Sequence, residues 1–175
     1  MNVASRASQL LSSQSIGDLL NSDEAFLFDC DGLICVIWKG DTLIDGVPQT
    51  FDMLRSKGKK LVFVTNNSTK SRRQYANKFQ SLGISVTEDE IFSSSFAAAM
   101  FLKVKNFPKD KKVYVIGGEG ILEELELVGY TGLGGQEDGK KTAQWKTNCL
   151  FEHDKMVGAV VVGLDPYVNY YKLQV

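Results

Sequence analysis

AFLFDCDG, residues 25–32, decides how this chain is read. Residues 25–29 are a short, continuous apolar run ending on an acid. A run of that kind is expected of a parallel strand buried on both faces. A carboxylate at the end of such a strand is costly unless it has a charge partner. In an extended strand residues i and i+2 share a face, so Asp29 and Asp31 are expected to point at one site, with Gly32 permitting a sharp turn after them. Two carboxylates that close repel each other unless a cation sits between them. Mg²⁺ usually takes one or two carboxylates and completes its shell with phosphate and water. One carboxylate can then attack phosphorus, while the other serves as general acid and base. The same residues also read as a strand followed by an ordinary acidic turn, because Asp and Gly are favoured in turns.

Working outward, strands and helices alternate. Residues 48–57 form a predicted helix, with Pro48 in its first turn and Gly58 past its end. Residues 60–65, KLVFVT, are a second buried strand. The spacing predicts a helix over 71–82 with Tyr75, Phe79 and Leu82 on one face, a third over 94–104, a strand at 113–116 and a helix from 119 to 128. Residues 129–154 show no period. Residues 157–163, VGAVVVG, read as another buried strand, and a helix starts near Asn169. This order predicts an α/β fold with a parallel sheet, right-handed crossovers and helices on both faces.

In such a sheet ligands bind outside the carboxyl ends of the strands. The second strand runs into Thr65-Asn66-Asn67-Ser68. A hydroxyl, two amides and backbone N–H groups make an uncharged donor cluster suited to a phosphoryl oxyanion. The same four residues also suit an Asx-turn or a cap for the next helix, with Ser71 as the cap residue. Gly117-Gly118-Glu119-Gly120 lacks a P-loop lysine and reads as a tight strand-to-helix turn. His153, the single histidine, lies in a polar stretch without a ligand set and reads as a surface residue. The basic runs at 57–60 and 109–112 read as solvated faces.

Composition bounds the rest. The 175 residues are 43% hydrophobic and 23% charged, enough for one domain with a core, or one domain and part of a second. A net charge of −1 gives no field to attract nucleic acid or an anionic membrane. Cys30, Cys35 and Cys149 read as reduced thiols rather than a disulfide frame. The stretch 1–15 has a solitary Arg and several Ser. It reads as a small leading helix of a cytoplasmic protein, with an organelle transit remnant, and so the chloroplast, as the alternative.

FLFDCDG (26–32), GVPQTFDMLRSKGKKLVFVTNNSTKSR (46–72), VYVIGGEGILEEL (113–125) and VGAVVVGLDPYVNYYKL (157–173) together resemble the haloacid dehalogenase-superfamily phosphatases. The resemblance lies in the branch of phosphoglycolate, 4-nitrophenyl-phosphate and pyridoxal-phosphate phosphatases, and extends over nearly the whole chain from Ala25. It implies a Rossmann-like core over residues 1–107 and an inserted α/β cap from 108, incomplete at 175. It further implies that Asp29 is nucleophile and Mg²⁺ ligand, that Asp31 is general acid/base with its backbone carbonyl on Mg²⁺, and that Thr65, Asn66 and Asn67 bind the phosphoryl group. The implied substrate is a small phosphorylated acid such as 2-phosphoglycolate, with a homo-oligomer formed through the cap as a possible assembly. Two departures stand out. Leu33-Ile34-Cys35 look inserted before Val36-Ile37-Trp38, and the family's later phosphate lysine and Gly-Asp…Asp metal segment are not among these residues. The chain therefore resembles a truncated form, expected to be nearly inactive by itself. Rival readings are a pyridoxal-phosphate phosphatase, a non-catalytic fragment that pairs with a full-length subunit, and a receiver-type domain, in which TNNS would have no role.

Overall fold

The computed structural model describes residues 12–31, 37–39, 42–143 and 154–174. The turn at Gly32, the insertion at 33–35, Cys35, Cys149, His153 and most of the stretch 1–15 lie outside them.

In chain order the elements are α1 (Ser13–Ser22), β1 (Ala25–Asp29), β2 (Trp38–Lys39), β3 (Thr42–Leu43), α2 (Val47–Ser56), β4 (Lys60–Thr65), α3 (Arg72–Ser81), β5 (Ile91–Ser93), α4 (Ser94–Val104), β6 (Lys112–Ile116), α5 (Glu119–Leu127), β7 (Thr131–Gly134), β8 (Val157–Val162) and α6 (Tyr170–Leu173). The fold class is α/β with parallel sheets, as expected. There are two such sheets among the described residues, ordered β1-β4-β5 and β7-β6-β8, beside a small antiparallel β2–β3 pair.

The first sheet is built on one face. Phe28 lies opposite Phe63 in the parallel register, and Phe63 opposite Ile91. α2 and α3 cover this face with Phe51, Leu54, Tyr75 and Phe79. Phe63 is central, its ring 4.7 Å from that of Phe79 and 5.2 Å from that of Phe51. Such offset and edge-on pairs add to the simple burial of apolar area. α3 starts where Ser71 accepts from the Gln74 N–H while the Gln74 side chain accepts from Ser71 N–H, a reciprocal cap. Ser71→Ala should lower stability by about 1 kcal/mol, the usual worth of an N-cap side chain. Urea unfolding with an unchanged slope would read it; a loss below a few tenths would count against the cap.

Three expectations need correction. Among the described residues β1 is not buried on both faces; it lies at one side of its sheet, with Phe26 and Phe28 turned inward while Leu27 is 70% exposed. The physical reason is that helices cover only the Phe28 side among the described residues, so Leu27 and Phe92 share an open face. β8 behaves likewise: Ala159 and Val161 pack inward, and Val160 and Val162 face out. Finally, the stretch without a period contains β7, paired in parallel with β6. Its sequence, TGLG, has no side-chain alternation to betray a strand.

The second sheet packs Val113 and Val115 against Ala99, Leu102, Ile121 and Leu125 of α4 and α5. It meets the first sheet through close contacts. Gly120 N–H donates to the Thr69 carbonyl at 3.1 Å. A Cβ on Gly120 would lie 2.2 Å from the carbonyl carbon of Lys70, so only glycine lets α5 begin there. The turn expected at 117–120 is thus a packing device. Arg72 and the fully buried Glu124 pair across the same junction, with Arg72 N–H and Nε both donating to the carboxylate at 2.7–3.2 Å.

Candidate active site

Two strand ends come together at the top of the first sheet. β1 stops at Asp29, and Cys30 N–H makes a last ladder bond to the Val64 carbonyl at 2.8 Å. Asp29 is exposed, on the open face with Leu27. Asp31 lies in a bend just past the strand, so the alternation argument for a shared face does not extend to it. Its carboxylate instead sits toward the β4 end. Thr65 Oγ1 donates to Asp31 Oδ2 at 3.0 Å, Tyr75 Oη donates to the same oxygen, and Trp38 Nε1 donates to Oδ1 at 3.1 Å.

All three donors are well fixed. Thr65 is 2% exposed on β4, Tyr75 1% on α3 and Trp38 2% on β2. The Trp38 and Tyr75 rings stack at 6.5 Å, Phe79 meets Trp38 edge-on at 4.8 Å, and Lys78 Nζ lies 4.2 Å from the indole centre. Tyr75, Lys78 and Phe79 are i, i+3 and i+4 neighbours, so a single face of α3 grips Trp38. Burial, reinforced by the Asp31 carboxylate, pushes the Tyr75 phenol far above its ordinary value, so it remains a donor at any working pH. Burial also pushes the Cys30 thiol, flanked by Asp31 and Asp29, up to about 12. Cys30 is therefore a neutral packing group, since the thiolate is the reactive form.

The TNNS segment shows a mixed role. Thr65 spends its proton on Asp31 and accepts the Asn67 N–H at 3.0 Å. Asn67 Oδ1 accepts from Thr69 N–H and Thr69 Oγ1, which is the Asx-turn that was one of the two readings. Asn66 is exposed, and its carbonyl accepts from Ser94 Oγ at 2.8 Å. Ser68 is buried and accepts the Leu164 N–H at 3.1 Å, tying the loop to the end of β8. Asn66, Asn67 and Ser68 line a cleft of about 520 Å³ with Ala98, Ile121 and the β8 end. Tyr75 and Trp38 escaped the sequence reading as site residues. Tyr75 carried a signal, its place on the apolar face of α3, but that signal marks packing rather than chemistry.

No Lys or Arg hydrogen-bonds either carboxylate among the described residues, whose Asp31 donors are neutral. The charge of the pair is thus open to a cation, and hard carboxylate oxygens suit Mg²⁺. Those residues hold no cluster of three or more His, Cys, Asp or Glu side chains, so any divalent ion here would lean on one or two carboxylates, backbone oxygen and substrate.

Residues 26–131 match the model of a family described as haloacid dehalogenase-like hydrolase. The chain is 75% identical over 96% of its length to phosphoglycolate phosphatase 2 of Arabidopsis thaliana, covering 55% of that protein. It is 62% identical over 99% of its length to the chloroplastic phosphoglycolate phosphatase 1A of the same plant, covering 47% of it. Among solved structures it resembles a hypothetical protein from Pyrococcus horikoshii OT3, with a TM-score of 0.65 and 32% identity over 86% of this chain and 51% of that one. The chain spans about half the length of the curated relatives it matches.

Proposed function

Because the chain belongs to the haloacid dehalogenase-like hydrolases, we propose that it is a Mg²⁺-dependent phosphomonoesterase that hydrolyses 2-phosphoglycolate through an aspartyl-phosphate on Asp29. The observation that carries the reading is the tie between the two strand ends, in which Asp31 is held by Thr65 beside the exposed Asp29. Asp29 oxygen attacks phosphorus and the bond from phosphorus to the substrate oxygen breaks, with Asp31 giving its proton to that leaving oxygen. Water then attacks the aspartyl-phosphate, Asp31 takes back a proton, and inorganic phosphate leaves. Asp29 and the Asp31 backbone carbonyl would hold Mg²⁺, which when bound neutralises charge on the phosphoryl oxygens. Asn66 and the Nδ2 group of Asn67 are the phosphoryl donors in this reading. The hydroxyl of Thr65 acts mainly on Asp31.

Residues 1–107 are proposed as the core and 108–175, built on β6, β7 and β8, as part of a cap that selects the substrate and could join two copies. Cytoplasmic placement is proposed, with the chloroplast as the alternative that the name of one relative supports. A second reading, a non-catalytic chain that pairs with a longer subunit, is favoured by the exposed Val160 and Val162 of β8.

The deciding experiment measures release of phosphate from 2-phosphoglycolate, pyridoxal phosphate and 4-nitrophenyl phosphate, with Mg²⁺ and after chelation. It compares the 175-residue chain with the same chain extended by the second half of phosphoglycolate phosphatase 2. The extended form is expected to prefer 2-phosphoglycolate and to fall to background on chelation. The short chain should be slower by about 10²-fold or more, the usual scale for one missing preorganised donor. Turnover that survives chelation would refute the metal-dependent mechanism.

A further inference from the structure

The Asp31 carboxyl group has more donors than a surface acid needs, and they come from three different elements. Two hydroxyls, from Thr65 on β4 and Tyr75 on α3, converge on Oδ2, while the indole of Trp38 on β2 takes Oδ1. Each carboxylate oxygen has about two lone-pair sites. Oδ2 is filled, and Oδ1 keeps one site open. Three donors out of one line fix the plane of the carboxyl group as well as its position. Building such a clamp from buried groups commits Tyr75 and Trp38, which solvent could not replace.

We propose that Tyr75 and Trp38 are positioning residues for proton transfer, holding the Asp31 carboxyl so that Oδ1 is the oxygen that passes the proton. This rests on the reading of Asp31 as general acid and base. Thr65 shares the task through its bond to Oδ2. The indole ring is itself pinned by Tyr75, Lys78 and Phe79, so the orientation of Asp31 is transmitted from α3 by two routes, one direct and one through Trp38. Tyr75→Phe keeps the ring packing and removes a single donor.

The test has two arms. In the 175-residue chain the two tryptophans give two indole N–H signals, and Trp145→Phe assigns the one from Trp38. Tyr75→Phe should shift the Trp38 indole signal, because the carboxyl it donates to is freed to turn; Asp31→Ala should shift it further. A Trp38 signal unmoved by Tyr75→Phe would overturn the proposal. In the extended form with Mg²⁺, Tyr75→Phe should lower kcat on 2-phosphoglycolate about tenfold, the scale of one hydrogen bond to a charged group, with KM unchanged. In rapid mixing, the loss in the rate of phosphoryl-enzyme formation should be much smaller with 4-nitrophenyl phosphate than with 2-phosphoglycolate, since its leaving group needs little protonation. Trp38→Phe should repeat that pattern. An equal loss in that rate on both substrates, or a loss confined to KM, is what a merely structural role predicts and would overturn the proposal. If the parent shows no turnover at all, the phosphatase reading fails, while the indole signal still decides whether Tyr75 orients Asp31.

Discussion

Asp29→Asn is expected to abolish phosphate release in the extended, Mg²⁺-loaded protein, by roughly 10⁵-fold or more, as when the nucleophile is removed from a group of residues that act as a unit. An amide keeps the size of the side chain but has no lone pair basic enough to attack phosphorus. Asp29 is exposed on the open face of β1, so the substitution should leave stability nearly unchanged, and unfolding curves provide that control. Asp31→Asn should cost about 10²–10⁴-fold, the range for a general acid and base. The two variants also differ in kind. Rapid-mixing with a substrate that has a good leaving group should still show a burst of covalent phosphoryl-enzyme in Asp31→Asn and none in Asp29→Asn. A burst of equal size in both would assign the nucleophile to some other residue.

The second large effect concerns the junction of the two sheets. Glu124 is fully buried, and Arg72 supplies both a backbone and a guanidinium N–H to it while its guanidinium carbon lies 3.8 Å from the centre of the Phe96 ring. Arg72→Ala leaves a carboxylate in the interior without its cation, which typically costs about 3–5 kcal/mol. Surface pairs such as Lys140–Glu137, with both side chains largely in water, should be worth far less. Replacing both partners, as in Arg72→Met with Glu124→Leu, removes the stranded charge along with the attraction. The double variant should return to within about 1–2 kcal/mol of the parent, since apolar replacement of a buried pair is often nearly neutral. Urea unfolding of the two single variants and the double variant measures this. A loss below about 1 kcal/mol in Arg72→Ala would mean that water reaches Glu124 easily.

Much of this architecture was legible from local signals. The helix at 94–104 was read to the residue, and β1 was placed correctly, because an apolar run stopped by an acid is a sharp local pattern. Ser71 as a cap was legible because its chemistry is satisfied within three residues. What escaped was whatever depends on partners far along the chain. β5 is three residues leading straight into a helix, and β7 is half glycine, so neither carries its own period. The burial of β1 was overestimated because hydrophobicity shows what a strand could cover, not whether anything lies on its second face. For the candidate site, both carboxylates and TNNS stood out as polar residues at strand ends. Tyr75 and Trp38 did not, since 44 and seven residues separate them from Asp31 and their side chains look like ordinary core.

The glycine contact at the junction bears on how this protein can vary. Where two side chains touch, one can enlarge as the other shrinks, and the pair drifts together. Gly120 faces the carbonyl carbon and α-carbon of Lys70 and the peptide nitrogen of Ser71, and Gly118 faces the α-carbon of Thr69. Those atoms are the same whatever residue occupies the position, so no exchange on the opposite side can make room. The interface between the two sheets is therefore open to compensation at Arg72 and Glu124 and closed to it at Gly118 and Gly120. Libraries or chimeras that join one relative's 65–72 loop to another's 117–125 segment should succeed when both glycines are kept and residues 72 and 124 are exchanged as a matched pair, whatever the other side chains around them.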